Sequence, residues 1–167
     1  HNGKLETNVP GVWVLGDVKG GPAFTHVSYD DYLVIYDNLV NGKNRTIDNR
    51  MVPYALYTDP ELGRIGLSEK EARAKGYRLK IGSVPMAYVA RAIERSETNG
   101  LMKIVINADN DRILGATILG PDGGELVQIL MALMMADAPW TLFENAMFIH
   151  PTLAEGFFAL MANVEAA

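Results

Sequence analysis

Residues 101–135 read LMKIVINADNDRILGATILGPDGGELVQILMALMM. Two apolar, β-branched runs, 101–107 and 112–119, flank the turn-forming ADND at 108–111. That is the pattern of an antiparallel hairpin. Residues 123–136 then take helical spacing, and within LVQILMALMM only Gln128 is polar. A helix apolar almost all round is covered on more than one side. Either it is sandwiched inside its own domain, or it lies between its own sheet and a second subunit. The spacing leaves both open. A hairpin followed by a helix points to α+β rather than to alternating βαβ units.

Working outward, VPYALYT at 52–58 reads as a strand. Ser68 and Glu71 form a capping box that opens a short helix, which Gly76 stops. In YRLKIGSV, Tyr77, Leu79 and Ile81 alternate with Arg78, Lys80 and Gly82, as in a half-buried strand. TLFENA, after Pro139, is a short helical turn, and a final helix is expected from about Thr152 to Asn163.

On the other side, residues 43–50, KNRTIDNR, are polar and basic. Before them VWVL, at 12–15 between Gly11 and Gly16, suits a strand buried on both faces of a parallel sheet. After GDVKGGPAF, Tyr29, Tyr32, Leu33, Tyr36, Leu39 and Val40 recur at helical spacing. Asp30, Asp31, Asp37 and Asn38 fall between them, which gives an amphipathic helix ending near Asn41-Gly42. The expected organisation is a strand–helix remnant of an α/β domain in residues 1–45, a linker at 46–52, and an α+β domain at 53–167. That last domain has an antiparallel sheet with flanking helices. HNGKLETNVPG, at the start, has no period and reads as the middle of a longer chain.

The 167 residues are 49% hydrophobic and carry a net charge of -5. The first number suits a packed core. The second argues against a nucleic-acid or anionic-membrane surface. No apolar run approaches the ~20 residues of a membrane span, and no signal pattern opens the chain, so a cytoplasmic setting is expected. Zero cysteines excludes disulfides, thiolate metal sites and thiol nucleophiles within the chain. Asn44-Arg45-Thr46 matches a glycosylation sequon by chance.

Two short motifs can carry chemistry. In VPGVWVLGD, Asp17 stands at the carboxyl end of the expected strand, the edge where open α/β sheets bind ligands. It can accept bonds from sugar-like hydroxyls, or merely cap the loop. In HPTLAE, Thr152 and Glu155 fit a capping box, which would leave His150 a chance neighbour. Alternatively His150 is a general acid–base whose tautomer Glu155 fixes. The His150-Pro151 bond permits a cis peptide. No spacing of His, Asp and Glu suggests a metal site. There is no G-x-G-x-x-G, P-loop or G-x-S-x-G.

Taken together, TNVPGVWVLGDV, YALYTDPELGRIGLSEKEARAKGY, RILGATILGPDGGELVQILMALM and HPTLAEGF resemble, in order and spacing, the C-terminal part of the pyridine nucleotide–disulfide oxidoreductases. AFTHVSYDDYLVIYDNL and YVARAIERSETNG look most like a mercuric-reductase-like bacterial branch. The resemblance implies a dimerisation domain preceded by the end of an FAD-binding domain, within a homodimeric enzyme that uses FAD and NAD(P)H. It implies that Gly16 and Asp17 meet the FAD ribityl chain and that Ala23, Phe24, Thr25 and His26 approach the flavin ring. It implies that His150 and Glu155 serve the partner subunit's active site. It also implies that the redox cysteines and the FAD and NAD(P)H domains lie upstream, so that this piece alone is inactive. The alternative is a purely structural homodimerisation module with His150 and Glu155 in a capping role.

Overall fold

In the computed structural model, which describes residues 1–167, the hairpin is the centre of one sheet. Strands β1 (Tyr54–Leu56), β2 (Leu62–Gly66), β3 (Leu79–Pro85), β4 (Leu101–Asn107), β5 (Ile113–Leu119) and β6 (Glu165–Ala166) lie in the order β1-β2-β5-β4-β3-β6. Every pairing is antiparallel. At the hairpin turn the Asn107 N–H donates to the Arg112 carbonyl at 2.9 Å, and Asp111 takes a positive φ.

Helix α4 (Gly123–Met135) lies across β2 and β5. A Cβ built on Gly63 would overlap the Gly123 carbonyl, so only glycine lets the helix start this close to the sheet. Leu126, Val127, Leu130 and Leu133 face inward, whereas Gln128, Ile129, Ala132 and Met135 are exposed. Of the two coverings open in the sequence, sandwiching inside its own domain is therefore not what this chain shows. Helices α3 (Ala90–Glu94) and α5 (Gly156–Ala162) also lie on the core. That core joins Ile104, Ile106, Ile118, Leu130, Phe157 and Leu160.

Helix α2 (Glu69–Ala74) covers part of the opposite face, over Leu79 and Val105. Its capping box forms as expected, with Glu71 N–H donating to Ser68 Oγ at 3.2 Å and Ser68 N–H to Glu71 Oε2 at 2.8 Å. Strand β3 is covered on both faces, not one: Leu79 and Ile81 join the small cluster, while Gly82 and Val84 are buried on the other side. The final helix begins four residues later than Thr152, at Gly156.

Residues 1–52 form a separate compact unit. Two expectations fail there. VWVL does not form a parallel strand; Trp13 makes only an isolated antiparallel bridge to Glu6. A parallel strand needs neighbours brought by a crossover, and residues 1–52 contain none. Helix α1 (Thr25–Leu39) is present, but its faces are exchanged. Val27, Asp31, Val34 and Asp37 are buried, and Tyr29, Tyr32 and Tyr36 are exposed as a row of neighbouring rings. The cause is the basic stretch that follows: Lys43 and Arg45 pair with Asp37, and Arg45 and Arg50 pair with Asp30. No helix of the chain is long and apolar enough to cross a membrane.

Candidate functional site

The segment carrying His150 is pinned at both ends. Upstream, Phe148 packs edge-on to Phe143 at 5.4 Å and meets Phe157 of α5 at 6.3 Å. Downstream, Leu153 is buried in the core. Between these anchors Met147, Ile149 and His150 point out, at 99%, 78% and 71% exposure. The His150-Pro151 bond is cis.

His150 Nδ1 lies 2.8 Å from Glu155 Oε2 and 3.1 Å from Oε1. An ionised carboxylate only accepts, so Nδ1 carries the hydrogen and Nε2 is the nitrogen left to exchange a proton. Glu155 has a second task. Its Oε1 accepts from Thr152 N–H at 3.3 Å, and its own N–H donates to Thr152 Oγ1 at 3.2 Å. The Thr152–Glu155 bonds close a turn ahead of α5 and do not cap it, since the helix begins at Gly156 and has no side-chain cap; the expected helix cap is thus not formed, and the one carboxylate holds this turn and His150 together. The same part of the chain exposes Leu142 and Phe158, and α4 exposes Ile129 and Met135.

In the first unit, Gly16 has φ +71° and leads into the turn Asp17–Lys19. The Asp17 side chain is exposed and makes no hydrogen bond within the chain. Gly20 and Gly21 also have positive φ, and nothing lies within 4 Å of a Cβ built on either. Ala23, Thr25 and His26 are exposed and Phe24 is half-buried, at the amino end of α1. The Phe24 and His26 rings stack at 5.2 Å. The helix start has no side-chain cap. A free carboxylate, an unobstructed glycine loop and an uncapped helix amino end form a donor and acceptor set that fits a hydroxyl-bearing flavin nucleotide. Lys19, Gly20, Gly21 and Arg50 help line a cleft of about 450 Å³ beside this loop.

Sequence reading missed Asp31. It is completely buried, accepting Gly16 N–H at 2.9 Å, Lys19 at 3.0 Å and Arg50 at 2.8 Å. Burial alone would raise its pKa, but the bonds from Arg50, Gly16 and Lys19 outweigh it and hold the carboxyl below the ordinary value. The one available signal was three basic residues, Lys43, Arg45 and Arg50, following a helix rich in aspartate.

The family model for "Pyridine nucleotide-disulphide oxidoreductase, dimerisation domain" matches residues 52–160. Similar proteins include the probable pyridine nucleotide-disulfide oxidoreductase RclA of Escherichia coli, 34% identical over 97% of this chain and 37% of its own length. The dihydrolipoyl dehydrogenase of Thermus scotoductus is 39% identical over 99% of this chain and 35% of its own. The chain thus spans about a third of the length of the curated relatives it matches. Among solved structures, the HOCl-induced flavoprotein disulfide reductase RclA from Escherichia coli superposes with a TM-score of 0.91 at 33% identity. That match covers 96% of this chain and 37% of the other.

Proposed function

The chain belongs to the pyridine nucleotide–disulfide oxidoreductases and carries their dimerisation domain, and on that premise we propose that it joins two copies of an enzyme and presents His150 with Glu155 to the partner's active site. The observation that supports this most is the outward-facing imidazole, tethered through Nδ1 at 2.8 Å and flanked by exposed Met147 and Ile149. Apolar side chains grouped around it on one unit, Met147, Ile149, Leu142 and Phe158, support the reading of a surface that another protein covers. A histidine held among them is placed to reach across an interface.

The chain has no cysteine, so the thiol that meets His150 comes from elsewhere in the enzyme. Nε2 takes the thiol proton, which leaves the nucleophilic thiolate, and Glu155 stabilises the imidazolium that results. The proton returns by the same path when the thiol re-forms. Asp17 would accept hydrogen bonds from the ribityl hydroxyls of FAD, and the amino end of α1, at Ala23 to His26, would lie towards its flavin ring. FAD, when bound, carries electrons between NAD(P)H and the dithiol. Both cofactors belong to the whole enzyme, and the chain by itself is inactive on this reading.

A second reading, a structural dimerisation module, is favoured by the reciprocal Thr152–Glu155 bonds, which would exist without any proton transfer. His150→Ala in the full-length enzyme separates the two. The relay predicts thiol-coupled turnover slowed by roughly 10²–10⁴-fold, with flavin content and melting temperature unchanged. Lower stability with intact turnover would establish the purely structural role instead.

A further inference from the structure

We infer that Asp31 is a positioning residue for the Gly16–Gly21 loop, and that it keeps Lys19 away from Asp17 so that the Asp17 carboxylate stays open to ligand hydroxyls. The inference rests on the reading of Asp17 as a flavin contact.

The two oxygens of Asp31 divide their work. Oδ2 accepts both the Gly16 N–H at 2.9 Å and the Lys19 ammonium at 3.0 Å. Oδ1 accepts from Arg50 at 2.8 Å. The two groups on Oδ2 come from either side of Asp17 in the sequence, so one buried atom holds both ends of the turn that displays it. Lys19 is turned inward as a result: its side chain is 3% exposed, although Asp17 and Val18 beside it are exposed. An ammonium two residues from a free carboxylate would otherwise be its nearest counter-ion. Asp17 instead has no partner within the chain. Arg50 also bonds Asp30 at 2.9 Å, and Asp31 itself is met by two cations, Lys19 and Arg50, so its buried charge is compensated. Matched, hydrogen-bonded charge is the condition under which a buried carboxylate persists.

The test uses the full-length protein carrying this chain, stripped of flavin and titrated with FAD. Asp31→Asn removes the charge that holds Lys19 and should weaken FAD binding at least roughly tenfold. The double variant Asp31→Asn with Lys19→Met leaves no ammonium to swing onto Asp17. It should regain most of the lost affinity, which a general folding defect would not allow. Wild-type affinity in Asp31→Asn would overturn the inference. So would a folded double variant as weak as the single one.

A measurement on the unmodified protein covers the case in which Asp31→Asn does not fold. The Gly16 amide should exchange with deuterium at least roughly tenfold more slowly than the Gly21 amide, for which no acceptor is present. Equal rates would overturn Asp31 as the anchor. Absence of FAD binding in the wild type would overturn the flavin reading, and Gly16 protection is measured independently of it.

Discussion

At residue scale the chemistry concentrates on Glu155, which serves His150 and Thr152 at once. Glu155→Gln keeps an acceptor for the Thr152 N–H and removes the carboxylate charge that holds His150 Nδ1. It should therefore slow thiol-coupled turnover by less than His150→Ala does, while leaving the melting temperature within a few degrees. Turnover equal to wild type would show that the carboxylate only holds the Thr152 turn. The contact was legible in the sequence because its parts are local: a histidine five residues before a glutamate, and a threonine three before it. Asp31 was not legible. Its burial is decided by Lys19, twelve residues upstream, and Arg50, nineteen downstream. No periodicity along α1 encodes them.

At the scale of elements, most patterns set by local period and local turns are legible in the sequence, though the T-x-x-E at Thr152 misplaces the start of the final helix, and dependence on neighbours is not legible. The β4–β5 hairpin and the α2 capping box are short-range patterns and formed as expected. VWVL did not become a strand, because a strand exists through its neighbours. Strand β2, LGRIG, went unread because two glycines in five residues hide its β character. One of them, Gly63, seats α4. Gly63→Ala would push the helix start off the sheet and should destabilise residues 53–167 by about 1–3 kcal/mol, as overpacking does. Thermal melting checks this, and an unchanged midpoint would mean that the approach is loose.

Helix α1 carries a pH dependence. Hydrogen bonds from Asn41, Arg45 and Lys43 lower the Asp37 carboxyl from 3.8 to about 2. The folded pKa lies below the unfolded one, so this stabilisation is fully present above pH 3.8 and is lost as pH falls towards 2. Amide protection in 25–45, measured against the intrinsic rate at each pH, should fall across that window, and Asp37→Asn should remove this part of the response. A loss of protection unaltered by Asp37→Asn would contradict the assignment.

At the scale of the whole molecule, residues 53–167 form an α+β unit with one side of α4 buried on the sheet and an apolar stripe left exposed. His150 stands on the same unit, beside Met147 and Ile149. The central claim is that its proton serves the other subunit. Complementation tests this most directly. One full-length variant lacks the redox thiols and keeps His150; the other keeps the thiols and carries His150→Ala. Each homodimer is deficient. In the purified heterodimer the two-fold arrangement restores one complete site of two, so turnover should recover to about half the wild-type rate. If His150 instead acts within its own subunit, no site in the heterodimer is complete, and its activity would stay at the level of the deficient homodimers.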